Sequence, residues 1–133
     1  MKVLFVCEGN MMRSQIAELF YNSLTHSCDS MSAGAAATLD TTMSKRGIEV
    51  MKDTGINTAN QFSKQLTPEM IDSVDKVILF PTDYMPDYAL HSEKSEMWDV
   101  ADPHYNKEKG MPFVLAVRDD IKSRIEKLIE NQR

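Results

Sequence analysis

The chain has 133 residues, of which 42% are hydrophobic and 26% are charged, and its formal net charge is −5. This size and balance are typical of one soluble globular domain, spanning residues 1–133. An acidic chain offers no general basic face for nucleic acid or for an anionic membrane surface. The apolar start at 3–6 is far shorter than the roughly 20 residues of a membrane-spanning helix. We therefore expect a cytoplasmic protein with neither a nucleic-acid nor a membrane partner.

The cysteines and histidines show no disulfide or metal pattern. Cys7 and Cys28 could form only one disulfide, and a domain of this size folds without one. His26 and His91 are isolated and lack the spacing of metal ligands. The sequence therefore predicts reduced thiols and no metal or other cofactor.

Strand and helix patterns alternate along the chain. Residues 2–6, K-V-L-F-V, form a β-branched and aromatic run that is typical of a strand buried on both faces. Periodicity and capping signals then predict, in order, a helix from about residue 14, a strand at 30–33, helices at 41–54 and after Thr67-Pro68, a strand at 74–80, a loop with one helical turn at 82–95, a strand at 96–100 and a helix at 112–130. This alternation predicts an α/β fold, a single domain with an open four-stranded parallel sheet and helices on both faces.

The segment between the first strand and the first helix, residues 7–14, reads C-E-G-N-M-M-R-S. The backbone N–H groups of such a loop can converge on an anion beside the helix N-terminus. The planar fork of Arg13 matches two oxygens of a tetrahedral dianion, and Gly9 is expected to adopt a backbone angle that other residues resist. The residues predicted to bind phosphate are Glu8, Gly9, Asn10, Met11, Met12, Arg13 and Ser14.

Cys7 opens this loop and is predicted to lie beneath the dianion. The positive field of the loop stabilises a thiolate there, and Ser14 can donate a hydrogen bond to the sulfur. Asp102-Pro103 follows the fourth predicted strand, at the edge of the sheet where ligands bind. A protonated carboxyl at that place assists departure of an oxygen leaving group. The pattern predicts catalysis by Cys7, Arg13 and Asp102.

Residues 3–18, V-L-F-V-C-E-G-N-M-M-R-S-Q-I-A-E, resemble the signature of low-molecular-weight protein tyrosine phosphatases and of the arsenate reductases that share their fold. Similar segments follow in the same order at 32–34, 55–56, 63–67, 75–80, 98–103 and 117–121. The resemblance implies that Cys7 forms a thiophosphate intermediate and that Asp102 first protonates the leaving group and then activates water. It also implies that Asn10, Ser14 and Ser32 hold the loop in shape, and that Glu8, His104 and Tyr105 form the pocket wall.

Four positions depart from the family pattern. Glu8 replaces an apolar or small residue, and its carboxylate is expected to repel a dianion or to select a cationic substrate. Met12 replaces a second cysteine, so no protective disulfide can form beside the nucleophile. Gln61 or Asn60 stands where a network histidine is common, and His104 replaces an aromatic residue.

Two activities occur among the proteins that this chain resembles. Thioredoxin-linked reductases relay oxidation through two cysteines after the third strand, and residues 81–102 contain none. Hydrolysis needs only Cys7, Arg13 and Asp102. We therefore predict hydrolysis of phosphate monoesters, on a phosphorylated protein or a small molecule, with inorganic phosphate or arsenate as ligands. The alternatives are arsenate reduction with an external low-molecular-weight thiol or a glutaredoxin-type partner, and a phospho-binding module with weak catalysis.

Overall fold

Four parallel strands form one sheet in the computed structural model, which describes all residues from 1 to 133. The strands are β1 (Val3–Cys7), β2 (Ser30–Gly34), β3 (Lys76–Leu79) and β4 (Ser95–Met97), and their spatial order is β2-β1-β3-β4. Each pair of neighbours runs parallel. The predicted four-stranded parallel sheet of a single α/β domain is confirmed.

Five helices cover the sheet. They are α1 (Arg13–Thr25), α2 (Lys45–Met51), α3 (Pro68–Asp72), α4 (Asp87–Leu90) and α5 (Gly110–Asn131). Three short 3-10 turns complete the chain at Lys52–Thr54, Pro103–Tyr105 and Lys107–Lys109. None of these helices has the length and apolar composition that crossing a membrane requires.

The central strand β1 has a core on each side of it. Val3 and Phe5 belong to a buried cluster with residues of α1, α2 and α5, whereas Leu4 and Val6 belong to a second cluster with residues of α3 and α4. Successive side chains of a strand point to opposite faces, so a strand covered by helices on both sides must be apolar at every position. Burial on both faces explains the continuous apolar run at the start of the sequence. The predicted helices on both faces of the sheet are confirmed.

Some predicted boundaries were wrong. The helix expected at 41–54 begins at Lys45, because the Ser44 hydroxyl accepts a hydrogen bond from the N–H of Gly47 (3.1 Å) and caps the helix there. The strand expected at 96–100 ends at Met97, since the N–H of Val100 donates to the Trp98 carbonyl (2.9 Å) and turns the chain sharply. This turn directs the next residues across the carboxyl end of the sheet.

Candidate active site

Hydrogen bonds to its carbonyl groups fix the loop between β1 and α1 in place. Every carbonyl from Cys7 to Met12 accepts a hydrogen bond, four of them from backbone N–H groups at 35–44. In contrast, the backbone N–H groups from Glu8 to Met12 donate to no acceptor in the protein. The N–H groups of Arg13 and Ser14 lie in the first turn of α1, where N–H groups have no acceptor within the helix. Carbonyls turned outward and free N–H groups in one short loop form a cradle for an anion.

The backbone angle that bends this loop belongs to Asn10, not to Gly9. Asn10 has a φ of 56°, whereas Gly9 does not have a positive φ. The Asn10 side chain fixes this conformation by donating to the Ser14 hydroxyl (2.7 Å) and accepting from the N–H of Lys64 (2.8 Å). The prediction about Gly9 was wrong, because asparagine also tolerates the left-handed region when its side chain is bonded locally.

Gly34, at the end of β2, passes directly beneath the loop. A Cβ atom at Gly34 would lie 2.7 Å from the carbonyl oxygen of Glu8 and 2.9 Å from the nitrogen of Asn10. Both are backbone atoms, so they cannot move aside without distorting the cradle. Gly34 is therefore a site residue that the motif in the sequence did not mark as one.

Cys7 lies at the base of the cradle and is almost fully buried. Its sulfur is 3.0 Å from the hydroxyl oxygen of Ser14. Because the Ser14 oxygen already accepts from the Asn10 side chain, its own proton is free to point at the sulfur. The Cys7 sulfur therefore accepts a hydrogen bond from Ser14 at the start of the row of free N–H groups.

Arg13 is anchored across the top of β3 and β4. Its Nη1 donates to the carbonyls of Pro81 (3.1 Å) and Val100 (2.9 Å), and its Nη2 donates to Asp102 Oδ2 (3.1 Å). A guanidinium has five N–H groups, so Nε–H and the second N–H of Nη2 have no protein acceptor. These two donors are available to the oxygens of a tetrahedral anion.

Asp102 reaches the loop because of the turn at Val100. One carboxylate oxygen accepts from Arg13, and the other accepts from the N–H of His104 (2.9 Å), which caps the 3-10 turn. The structure therefore brings Cys7 and Arg13 together with Asp102, which follows Arg13 by 89 positions in the chain. They line a cavity of about 200 Å³ together with Glu8, Gly9, Met11, Met12, Ala36, Thr38, Ser44, Arg46 and His104.

Glu8 lines the cavity and accepts hydrogen bonds from two hydroxyl groups, whose own residues, Thr82 and Tyr105, are not among those that line it. The Tyr105 hydroxyl donates to Glu8 Oε2 (2.6 Å), and the Thr82 hydroxyl donates to Glu8 Oε1 (2.8 Å). The bond to Glu8 raises the pKa of Tyr105 to about 12, because the phenol is stabilised in its protonated form. The Tyr105 ring also packs edge-on against His104, with centroids 4.9 Å apart. Nothing in the sequence pointed to Thr82.

Two supporting contacts differ from the expectation. Ser32 was predicted to help hold the loop, but its hydroxyl donates to Glu18 Oε1 (2.5 Å) and not to a residue of the loop. The carbonyl of Asn10 instead accepts from Ser63 Oγ and from Gln15 Nε2 (3.1 Å each). Gln61 donates to Gln15 and so touches the loop through one intermediate side chain. Side-chain directions of this kind depend on packing between elements that are distant in sequence.

The fold and the loop define a class, α/β proteins that carry a cysteine and an arginine around an anion cradle after the first strand. The family model of low molecular weight phosphotyrosine protein phosphatases matches residues 2–133, and the chain belongs to this family. The family resemblance that the sequence motif indicated is thereby confirmed.

Relatives with both activities are found. An arsenate reductase of Shouchella clausii is 30% identical over 135 residues, covering 96% of this chain and 94% of that protein. The crystal structure of a low molecular weight protein tyrosine phosphatase from T. tengcongensis matches with a TM-score of 0.81 and 27% identity, over 98% of this chain and 99% of that one. Vibrio vulnificus Wzb in complex with benzylphosphonate has a TM-score of 0.85 and 21% identity, over 98% of this chain and 97% of that one.

Proposed function

We propose that this protein hydrolyses phosphate monoesters of the protein tyrosine phosphate type, in the cytoplasm, through a cysteinyl-phosphate intermediate. The observation that carries the proposal is the row of free backbone N–H groups from Glu8 to Met12 around the Cys7 sulfur. These donors and the free edge of Arg13 match the oxygens of a phosphoryl group. Inorganic phosphate and arsenate have the same tetrahedral shape and are expected to bind in the same cradle.

The first step transfers the phosphoryl group to Cys7. The thiolate attacks phosphorus, the S–P bond forms, and the bond from phosphorus to the ester oxygen breaks. Asp102, in its protonated form, gives its proton to the departing oxygen. Arg13 and the loop N–H groups neutralise the charge on the three remaining phosphoryl oxygens.

The second step releases phosphate. Asp102, now a carboxylate, takes a proton from a water molecule, whose oxygen attacks phosphorus. The S–P bond breaks, and the electron pair returns to the Cys7 sulfur, where the Ser14 hydroxyl stabilises it. The products are inorganic phosphate and the starting thiolate.

Arsenate reduction remains a second candidate because an arsenate reductase is among the relatives. Reduction through two cysteines of this chain is geometrically impossible in the folded protein. Cys7 ends β1, whereas Cys28 precedes β2 at the opposite end of the sheet, and the length of β1 alone separates them by roughly 13 Å. A disulfide needs Cα atoms within about 7 Å. Any reduction would therefore use an external thiol of low molecular weight or a glutaredoxin-type partner.

Parallel assays test the choice of activity. The protein is incubated with p-nitrophenyl phosphate, with a phosphotyrosine peptide, and with arsenate plus glutathione, bacillithiol or mycothiol, and nitrophenol, phosphate and arsenite are measured. We expect turnover of both phosphate esters. Arsenite formation without ester hydrolysis would select the reductase, and stoichiometric phosphopeptide binding without either product would select the binding module.

Asp102→Asn is expected to slow hydrolysis in a way that depends on the leaving group. An amide cannot supply a proton, so kcat for phenyl phosphate should fall by about 10²-fold or more. p-Nitrophenolate leaves without protonation, so its ester should lose much less. Steady-state kinetics over a series of substituted phenyl phosphates measures this dependence. Equal losses for all esters would show that Asp102 acts on Arg13 and not as the acid.

A further inference from the structure

Arg46 is a positively charged side chain of the cavity that has no carboxylate partner. It lines the cavity together with three other charged residues, Glu8, Arg13 and Asp102. Arg13 pairs with Asp102, whereas no ion pair of the protein includes Arg46. Its guanidinium makes one hydrogen bond, from Nη2 to the carbonyl of Pro103 (3.2 Å). A guanidinium has five N–H groups, so most of those of Arg46 are free to bind a ligand.

Arg46 lies on the side of the cavity where a leaving group departs. Its partner Pro103 directly follows Asp102, which is proposed to protonate the leaving oxygen. Arg46 is half-buried, whereas Arg13 at the cradle is only 2% exposed. Ser44, which caps the helix that carries Arg46, also lines the cavity, and its hydroxyl donates to no acceptor in the protein. These donors therefore face the organic part of a substrate and not its phosphoryl group.

The size of the cavity indicates which part of a substrate meets Arg46. Its volume of about 200 Å³ is smaller than the roughly 300–1,000 Å³ of a pocket for a drug-sized ligand. A phosphoryl group and one aromatic ring therefore occupy most of it, and the chain beyond the ring lies outside. In a phosphotyrosine peptide, the residues next to the phosphotyrosine then lie at the mouth, within reach of a half-buried arginine. A carboxylate there can accept two N–H groups of one guanidinium.

We propose that Arg46 selects phosphotyrosine segments of proteins in which a glutamate or an aspartate directly flanks the phosphotyrosine. This inference rests on the proposed phosphate hydrolysis and adds a binding contact to it, so the transfer steps at Cys7 are unchanged. The carbonyl of Pro103 holds the guanidinium in place, and the flanking carboxylate pairs with its free N–H groups. A lysine in the flanking position would meet a like charge, which disfavours the complex.

The experiment compares three phosphotyrosine peptides that differ only in the two residues flanking the phosphotyrosine, which are both glutamate, both glutamine or both lysine. For the wild type we expect kcat/KM to be about fivefold higher for the glutamate peptide than for the glutamine peptide. This ratio should fall to about one in Arg46→Gln. In Arg46→Glu the lysine peptide should become better than the glutamine peptide. Added salt should lower the wild-type ratio, because it screens ion pairs at a surface.

Two control variants separate the charge of Arg46 from its bond to Pro103 and from net charge. Arg46→Lys keeps the positive charge and should still prefer the glutamate peptide. Lys122→Gln removes a positive charge from an exposed position of α5 and should leave the ratio unchanged. If Arg46 only holds Pro103, and through it Asp102, Arg46→Gln will lower kcat/KM for all three peptides by the same factor. That result, or a wild-type preference for the lysine peptide, would overturn the proposal.

Failure of this inference differs from failure of the proposed hydrolysis, because p-nitrophenyl phosphate has no flanking residue. If the wild type hydrolyses this ester but discriminates among the peptides by less than about twofold, or hydrolyses none of them, the selection by Arg46 is wrong and hydrolysis stands. A preference for glutamate that persists in Arg46→Gln has the same meaning. If the wild type hydrolyses neither this ester nor any peptide, both proposals fail.

Discussion

Cys7→Ser is expected to lower kcat/KM for p-nitrophenyl phosphate by at least about 10⁴-fold. The hydroxyl of serine stays protonated at neutral pH, and nothing beside it acts as a base, because Ser14 and the loop N–H groups are donors only in this direction. Serine and cysteine are similar in size, so the cradle itself should persist. Phosphate binding measured by calorimetry should therefore be retained while turnover is lost.

Cys28→Ser is the matched control for the nucleophile. Cys28 is exposed and lies at the amino end of the sheet, so this variant should keep wild-type kinetics. Alkylation by iodoacetamide should inactivate the wild type and Cys28→Ser equally, and phosphate should protect both. Residual activity of Cys7→Ser within tenfold of the wild type would remove the cysteinyl-phosphate mechanism.

Arg13→Lys is expected to lower kcat/KM for the same ester by about 10³-fold. Lysine keeps a positive charge but loses the planar fork, so it cannot reach two phosphoryl oxygens while it holds Asp102. The carbonyls of Pro81 and Val100 would also lose their donor. Inhibition by inorganic phosphate, measured as an inhibition constant, should weaken in parallel with kcat/KM.

Arg118→Lys is the matched control, because the Arg118 side chain is also largely buried (14% exposed, against 2% for Arg13) and bonds Asp53 and the carbonyl of Val50. Both substitutions are expected to lower the midpoint of thermal unfolding by a few degrees, but only Arg13→Lys should abolish the stabilisation by added phosphate. A phosphate-dependent shift that is the same in Arg13→Lys and in the wild type would show that Arg13 does not hold the anion.

The sequence pattern predicted the strands and helices whose burial shows in the order of apolar residues along the chain. β1 was predicted because its five residues are all buried in the middle of the sheet, which demands an unbroken apolar run. The last helix was predicted from its buried stripe at Val114, Val117, Ile121 and Ile125. The start of α2 was missed because the choice between several hydroxyl residues at 41–44 as the cap depends on which of them can reach a free N–H.

The sequence by itself determined the α/β class and the presence of Cys7, Arg13 and Asp102 at one edge of a parallel sheet, because strand burial, helix periodicity and the Cys-to-Arg spacing are local properties of the chain. Only the tertiary structure decided the left-handed turn at Asn10, the partner of Ser32 and the bonds from Thr82 and Tyr105 to Glu8. The contacts that decide these features join residues that are distant in the chain, such as Asn10 and Lys64, 54 positions apart, and Glu8 and Tyr105, 97 positions apart. Their meeting depends on how the sheet and the loops pack, which no short segment of sequence encodes.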